Sequence, residues 1–132
     1  MTLEKINPEQ IMSPVNQAYH HVVIAPSNGR SAYISGQVGM RKDGTIPDEV
    51  RAQAELAWQN LVACLESAHM FPQDVVKVTA YLIDLEDYGF FSEMRNKYLG
   101  RSRPASTVVL VKSLVLPELK VEIEAIAVQQ TA

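Results

Sequence analysis

One cysteine, Cys64, is all that 132 residues contain, so no intramolecular disulfide can form and the chain suits a reducing cytoplasm. No apolar run approaches the ~18 residues a membrane span needs. The opening MTLEKINPEQ has no basic segment followed by an apolar one, so neither a membrane anchor nor an export signal is expected. Strong charge is lacking too: a formal net charge of −3 argues against a constitutive nucleic-acid or anionic-membrane binder. Aromatic residues are 7 %, and the tyrosines (Tyr19, Tyr33, Tyr81, Tyr88, Tyr98) are too scattered for a base-stacking platform. No second cysteine or spaced His/Asp/Glu set accompanies His20 and His21, which a strand would send to opposite faces. No metal site is therefore expected. No phosphate loop or nucleotide fingerprint occurs. These absences predict a cytoplasmic, soluble protein without cofactor, nucleic-acid partner or membrane partner.

What is present is an ordinary globular balance, 47 % apolar and 20 % charged, over a length that suits a single domain spanning 1–132. Residues up to about Asn16 read as an irregular lead-in. Val22 to Ala25 and SAYISGQVG read as strands, and Asn28-Gly29 between them is a hairpin signal, because both residues tolerate positive φ. After Asp43-Gly44 the apolar period changes to about 3.6. Val50, Ala54, Ala57, Leu61, Cys64, Leu65 and Ala68 share one stripe, predicting a helix over 48–69 that Pro47 and Asp48 introduce. DVVKVTAYLID is a strand, with Val76, Val78, Ala80 and Leu82 facing one way and Val75, Lys77, Thr79 and Tyr81 the other. LEDYGFFSEMRNKYLG returns to helical spacing, with Phe91, Met94 and Tyr98 on one side and Gly100 as the stop. Strands from Pro104 to Val111 and Lys120 to Val128 complete an α+β order, ββαβαββ, with two helices on one face of a sheet of about five strands. The run Val108–Val111 is apolar on both faces. Two helices cover one face only, so self-association is expected.

Glu122 and Glu124 lie two apart on the last strand, so they share a face. Such a pair either does acid/base work or forms a solvated strip. Cys64 sits on the apolar stripe and reads as a small core residue. His69 stands near a helix C-terminus, where positive charge is favourable. Arg95, Lys97, Arg101 and Arg103 gather around the end of the second helix, where they either take an anion or complement the helix dipole.

At YISGQV, Tyr33 to Val38, and again at RPAST…VEIEAIAV, the sequence resembles the Rid (YjgF) family of reactive-intermediate deaminases, and the resemblance runs nearly end to end. It implies a chorismate-mutase-like mixed sheet and a homotrimer with three small-molecule clefts between neighbouring subunits. The best-known branch of that family hydrolyses 2-imino acids or their enamines to 2-keto acids and ammonia without metal or cofactor. An arginine two residues after the proline grips the substrate carboxylate there, and a glutamate on the last strand positions the water.

Residue by residue, the resemblance makes Glu122 the catalytic carboxylate. Tyr19, Ser35, Gly36 and Gln37 become cleft residues, with Ser92, Ser106 and Thr107 beside them. The arginine is absent: after Pro104 and Ala105 comes Ser106. Val108 replaces that branch's cysteine and Ser92 its asparagine. Arg103 precedes Pro104 and faces the other way along a strand. Exchanging a charged pair for one neutral hydrogen bond is worth ~2–4 kcal/mol. The resemblance therefore implies an imine or enamine hydrolase with an altered substrate and weak or absent 2-imino acid deaminase activity. The alternative is a non-catalytic ligand-binding or regulatory trimer. Ribonuclease activity, also attached to this family, fits poorly with the acidic charge and the missing aromatic platform.

Overall fold

The alternation of apolar residues along four segments builds the central layer of the computed structural model, which describes residues 3–131. Strands β3 (Gly29–Val38), β4 (Val75–Leu82), β5 (Ala105–Leu110) and β6 (Val121–Gln130) form a mixed sheet in the order β3-β6-β4-β5. The β3–β6 and β6–β4 pairs are antiparallel, and β4–β5 is parallel. Parallel neighbours need a crossover, which helix α2 (Tyr88–Leu99) supplies. Helix α1 (Val50–Ser67) links β3 to β4 and packs on both β3 and β6. Val78, Ala80 and Leu82 of β4 and Val121, Ile123, Ala125 and Ala127 of β6 turn toward the helices. There they meet Ala54, Ala57, Trp58, Leu61 and Leu65 of α1 and Phe91, Met94 and Leu99 of α2. Both helices thus lie on one face, as the periodicity predicts. Trp58 is fully buried, stacked on Tyr98 at 6.4 Å and tilted against Phe91 at 5.9 Å, contacts worth about 0.5–1.5 kcal/mol each beyond their buried area.

Helix α1 ends one turn after Leu65 in a defined way. His69 takes a positive φ of 58° and donates its N–H to Glu66 O (2.9 Å), while Met70 N–H reaches Leu65 O (2.9 Å). This pair of bonds closes the helix, and the buried Met70 and Leu65 supply the accompanying apolar contact.

Several elements depart from the sequence reading. The Asn28-Gly29 turn closes no hairpin: β2 (Val22–Ile24) pairs instead with β1 (Glu4–Ile6), in the segment expected to be irregular. Asn28 is tied to the end of β6, its carbonyl accepting Thr131 N–H at 3.1 Å and its Oδ1 accepting from Gln130 at 3.2 Å. The main sheet therefore has four strands, with a separate two-stranded sheet beside it. On β4 the pairing shifts between Val75 and Lys77, so Val75 joins the core although its parity is that of Lys77, Thr79 and Tyr81. The face away from the helices is mixed rather than wholly apolar: Lys77, Thr79, Tyr81, Glu122 and Glu124 stand there beside Val109, Ile126 and Tyr33. β5 is an edge strand whose Val108 faces the core while Leu110 is 51 % exposed.

Candidate functional site

The pairing of β3 with β6 runs in register to Ile34↔Ala125 and resumes at Gln37↔Ile123, so β3 carries one extra residue at Ser35-Gly36. Such a bulge lifts backbone groups out of the ladder and bends the strand. Glu122, paired with Val38 just past the bulge, reaches back over it with its side chain: a Cβ built on Gly36 would stand 1.8 Å from Glu122 Oε2 and 2.7 Å from its Cδ. The glycine lets the carboxylate lie this close: a Cβ would displace the Glu122 side chain rather than any backbone, and no unusual φ is involved. Beside it, Gln37 Nε2 donates to Ser35 O at 3.1 Å. Ser35, Gly36, Gln37 and Glu122 thus come together as one group.

The two glutamates of β6 differ in what they touch. Tyr81 hydroxyl donates to Glu124 Oε1 at 2.5 Å, and that bond, before burial and the neighbouring carboxylate charges, pushes the Tyr81 phenol above its ordinary value. Glu122 has no hydrogen-bond donor and no cation within 4 Å among the described residues. Further along the open face, Lys77 Nζ donates to Thr107 Oγ1 at 2.7 Å.

A second group forms beneath α2. Ser106 stands beside the core residue Val78 in the parallel register, so its hydroxyl turns toward the helices. There it accepts from Arg95 Nη1 at 3.3 Å, while Ser92 Oγ accepts from Arg95 Nη2 at 3.1 Å. Arg95 is only 4 % exposed, with its guanidinium carbon 5.6 Å from the centroid of Phe91. Its Nε has no hydrogen-bond partner, and no carboxylate lies within 4 Å of it, among the described residues. The sequence reading grouped Arg95 with Lys97, Arg101 and Arg103 at the helix end. Arg95 instead follows Phe91 by four residues, which places it on the buried stripe, and that spacing was the signal available. Lys97 pairs with Glu55 at 3.2 Å on the surface, and Arg101 and Arg103 are exposed.

Tyr19 belongs to a third place. It lines a hollow of about 270 Å³ with Asn7, Ser13, Gln17, His20 and Arg103, and stands edge-on to His21 at 5.6 Å. His20 ties this segment to the start of β5, its N–H donating to Pro104 O at 3.3 Å. The predicted residues therefore do not meet within one chain. Ser106 lies two strands and three residues from Glu122, roughly 14 Å by strand spacing and rise, and its side chain is on the opposite face. Thr107 shares the face of Glu122, not that of Ser106.

A family model for endoribonuclease L-PSP matches residues 10–129. The 2-iminobutanoate/2-iminopropanoate deaminase of Mus musculus is 39 % identical over 102 residues, 76 % of this chain and 75 % of that protein. Among solved structures, the Rid-family protein YyfB from Yersinia pestis superposes with a TM-score of 0.86 at 30 % identity, over 96 % of this chain and 98 % of that one. E. coli TdcF with bound serine gives 0.70 at 29 % identity, over 86 % and 95 %.

Proposed function

The chain belongs to the Rid (YjgF) family, and from that premise we propose that it hydrolyses a reactive imine or enamine to a carbonyl compound and ammonia, with Glu122 handling the water. The observation that carries this reading is the Glu122 carboxylate, unpartnered among the described residues and laid over the Ser35-Gly36 bulge. A free carboxylate accepts a proton from water as the oxygen attacks the imine carbon. With the imine nitrogen already protonated, this gives a neutral carbinolamine. The carboxyl passes the proton to the amine nitrogen, then takes up the hydroxyl proton as the C–N bond breaks and the carbonyl forms. That proton leaves with ammonia as ammonium. Bulge backbone groups outside the ladder are available to the developing adduct. Glu124 is held by Tyr81, which favours Glu122 of the two.

The site is completed by assembly. The two groups on opposite faces of one sheet meet if a neighbouring subunit of a homotrimer brings its α2 and β5 to the Glu122 face. Exposed apolar residues suit such a contact: Leu110 at the β5 edge and Tyr33, 78 % exposed, on β3. Ser106 in place of the strand arginine removes the strand's own grip on a carboxylate, so the range of substrates differs from that of a chain that keeps the arginine. The ribonuclease name of the family model does not suit this chain. Binding a phosphate backbone requires a basic surface, and this chain has net charge −3 with Glu122 and Glu124 on its open face.

The test is hydrolysis of imines generated in situ by an amino-acid oxidase, followed as carbonyl product above the spontaneous background. Wild type should accelerate the reaction. Glu122→Gln should lower the rate by about 10²-fold or more, and Glu124→Gln by far less. Undiminished turnover in Glu122→Gln with loss in Glu124→Gln would reverse the assignment.

A further inference from the structure

A guanidinium buried without a counter-charge is costly, because desolvation is repaid only by a well-placed anion or by satisfied donors. Arg95 has neither in full: two neutral hydroxyls, an aromatic face, and an Nε with no partner among the described residues. Both serines are only partly buried, so the charge lies one hydroxyl away from solvent. The planar fork directs its N–H groups to a region bounded by Ser92 and Ser106, and a carboxylate there would accept from guanidinium and hydroxyls together.

We propose that Arg95 is the anion anchor of this chain, holding a small carboxylate with the Ser92 and Ser106 hydroxyls. The charge that Ser106 lacks on β5 is supplied from α2, across the same position. The substrate class then remains anionic, with its carboxylate approached from the helix side rather than from the strand. This inference draws its carbonyl chemistry from the proposed function, but the anion site stands on the Arg95 geometry alone.

Calorimetric titration of the full chain with 2-oxobutanoate and with its neutral amide tests it. The acid should bind and the amide at least 10-fold more weakly, whereas no preference for the acid overturns the proposal. Arg95→Met should weaken the acid about 10²-fold, and adding Ser106→Arg to it should restore binding by moving the charge to the strand. Ser106→Asp covers the case in which Arg95→Met folds poorly. An internal carboxylate beside the guanidinium should raise the melting temperature and abolish acid binding. A merely structural Arg95 would leave the acid preference intact in Arg95→Met or Ser106→Asp, and that result overturns the assignment. Arg95-dependent binding without imine hydrolysis would sink the proposed function and leave the anchor standing; hydrolysis without Arg95-dependent binding would do the reverse.

Discussion

Gly36→Ala probes the coupling between the β3 bulge and Glu122. The added Cβ would stand 1.8 Å from Glu122 Oε2, 2.7 Å from Cδ and 3.1 Å from Cγ, all atoms of one side chain. To reach 3.0 Å the carboxylate must withdraw by about 1.2 Å. Displacements of about 1 Å at a reacting group cost about 10² in rate. The fold should hardly respond. An off-rotamer Glu122 costs about 0.5–1.5 kcal/mol. Removing a strand glycine returns about 0.5–1 kcal/mol of backbone entropy. The net change stays within about 1 kcal/mol, a few degrees in melting temperature for a chain of this size. Imine hydrolysis and calorimetric melting should therefore separate, with turnover down about 10²-fold and the melting temperature nearly constant. Gly89→Ala serves as a control, because a Cβ there meets nothing within 4 Å. In a Glu122→Gln background Gly36→Ala should cost no further activity, since both changes act through one carboxylate. Full turnover in a folded Gly36→Ala protein would refute the reasoning.

Gln53 is fully buried and donates to Pro47 O at 3.0 Å and Glu118 O at 2.8 Å while accepting from Lys120 N–H at 2.8 Å, so it ties the segment before β6 to α1. Gln53→Ala should destabilise by about 2–4 kcal/mol in urea denaturation by stranding those groups, and a loss below 1 kcal/mol would show that water replaces them. Tyr81, raised first by its bond to Glu124, gives a pH prediction. A phenol held protonated in the fold contributes stability that is whole below its unfolded value near 10 and is lost as pH rises through the folded one. The stability gap between wild type and Tyr81→Phe should be flat from pH 7 to 9 and close above about pH 10; a gap that widens there would contradict the bond.

The local periods of the sequence determined the elements. Apolar stripes at 3.6 and alternation at 2 placed α1, β4, α2, β5 and β6 to within a few residues, because each pattern must bury its own face. The family motifs located Glu122 and the Ser35–Gln37 segment, and the glycine beneath the carboxylate was already written there. Only the tertiary structure decided pairings that depend on distant partners. Asn28-Gly29 has the chemistry of a hairpin turn, yet β2 finds β1 and Asn28 finds the end of β6. One bulge at the start of β4 turned Val75 into the core against its parity. How apolar the face beside the Val108 run is depended on what β4 and β6 place there, and they set lysine, threonine, tyrosine and glutamate, with Ile126, around the exposed Val109. Arg95 is the sharpest case. In the sequence it is one cation of four near a helix end; in the fold its angular position puts it under α2, against Ser106, with its charge unanswered among the described residues. Burial and proximity across 11 residues of chain are properties of packing, and no local pattern encodes them.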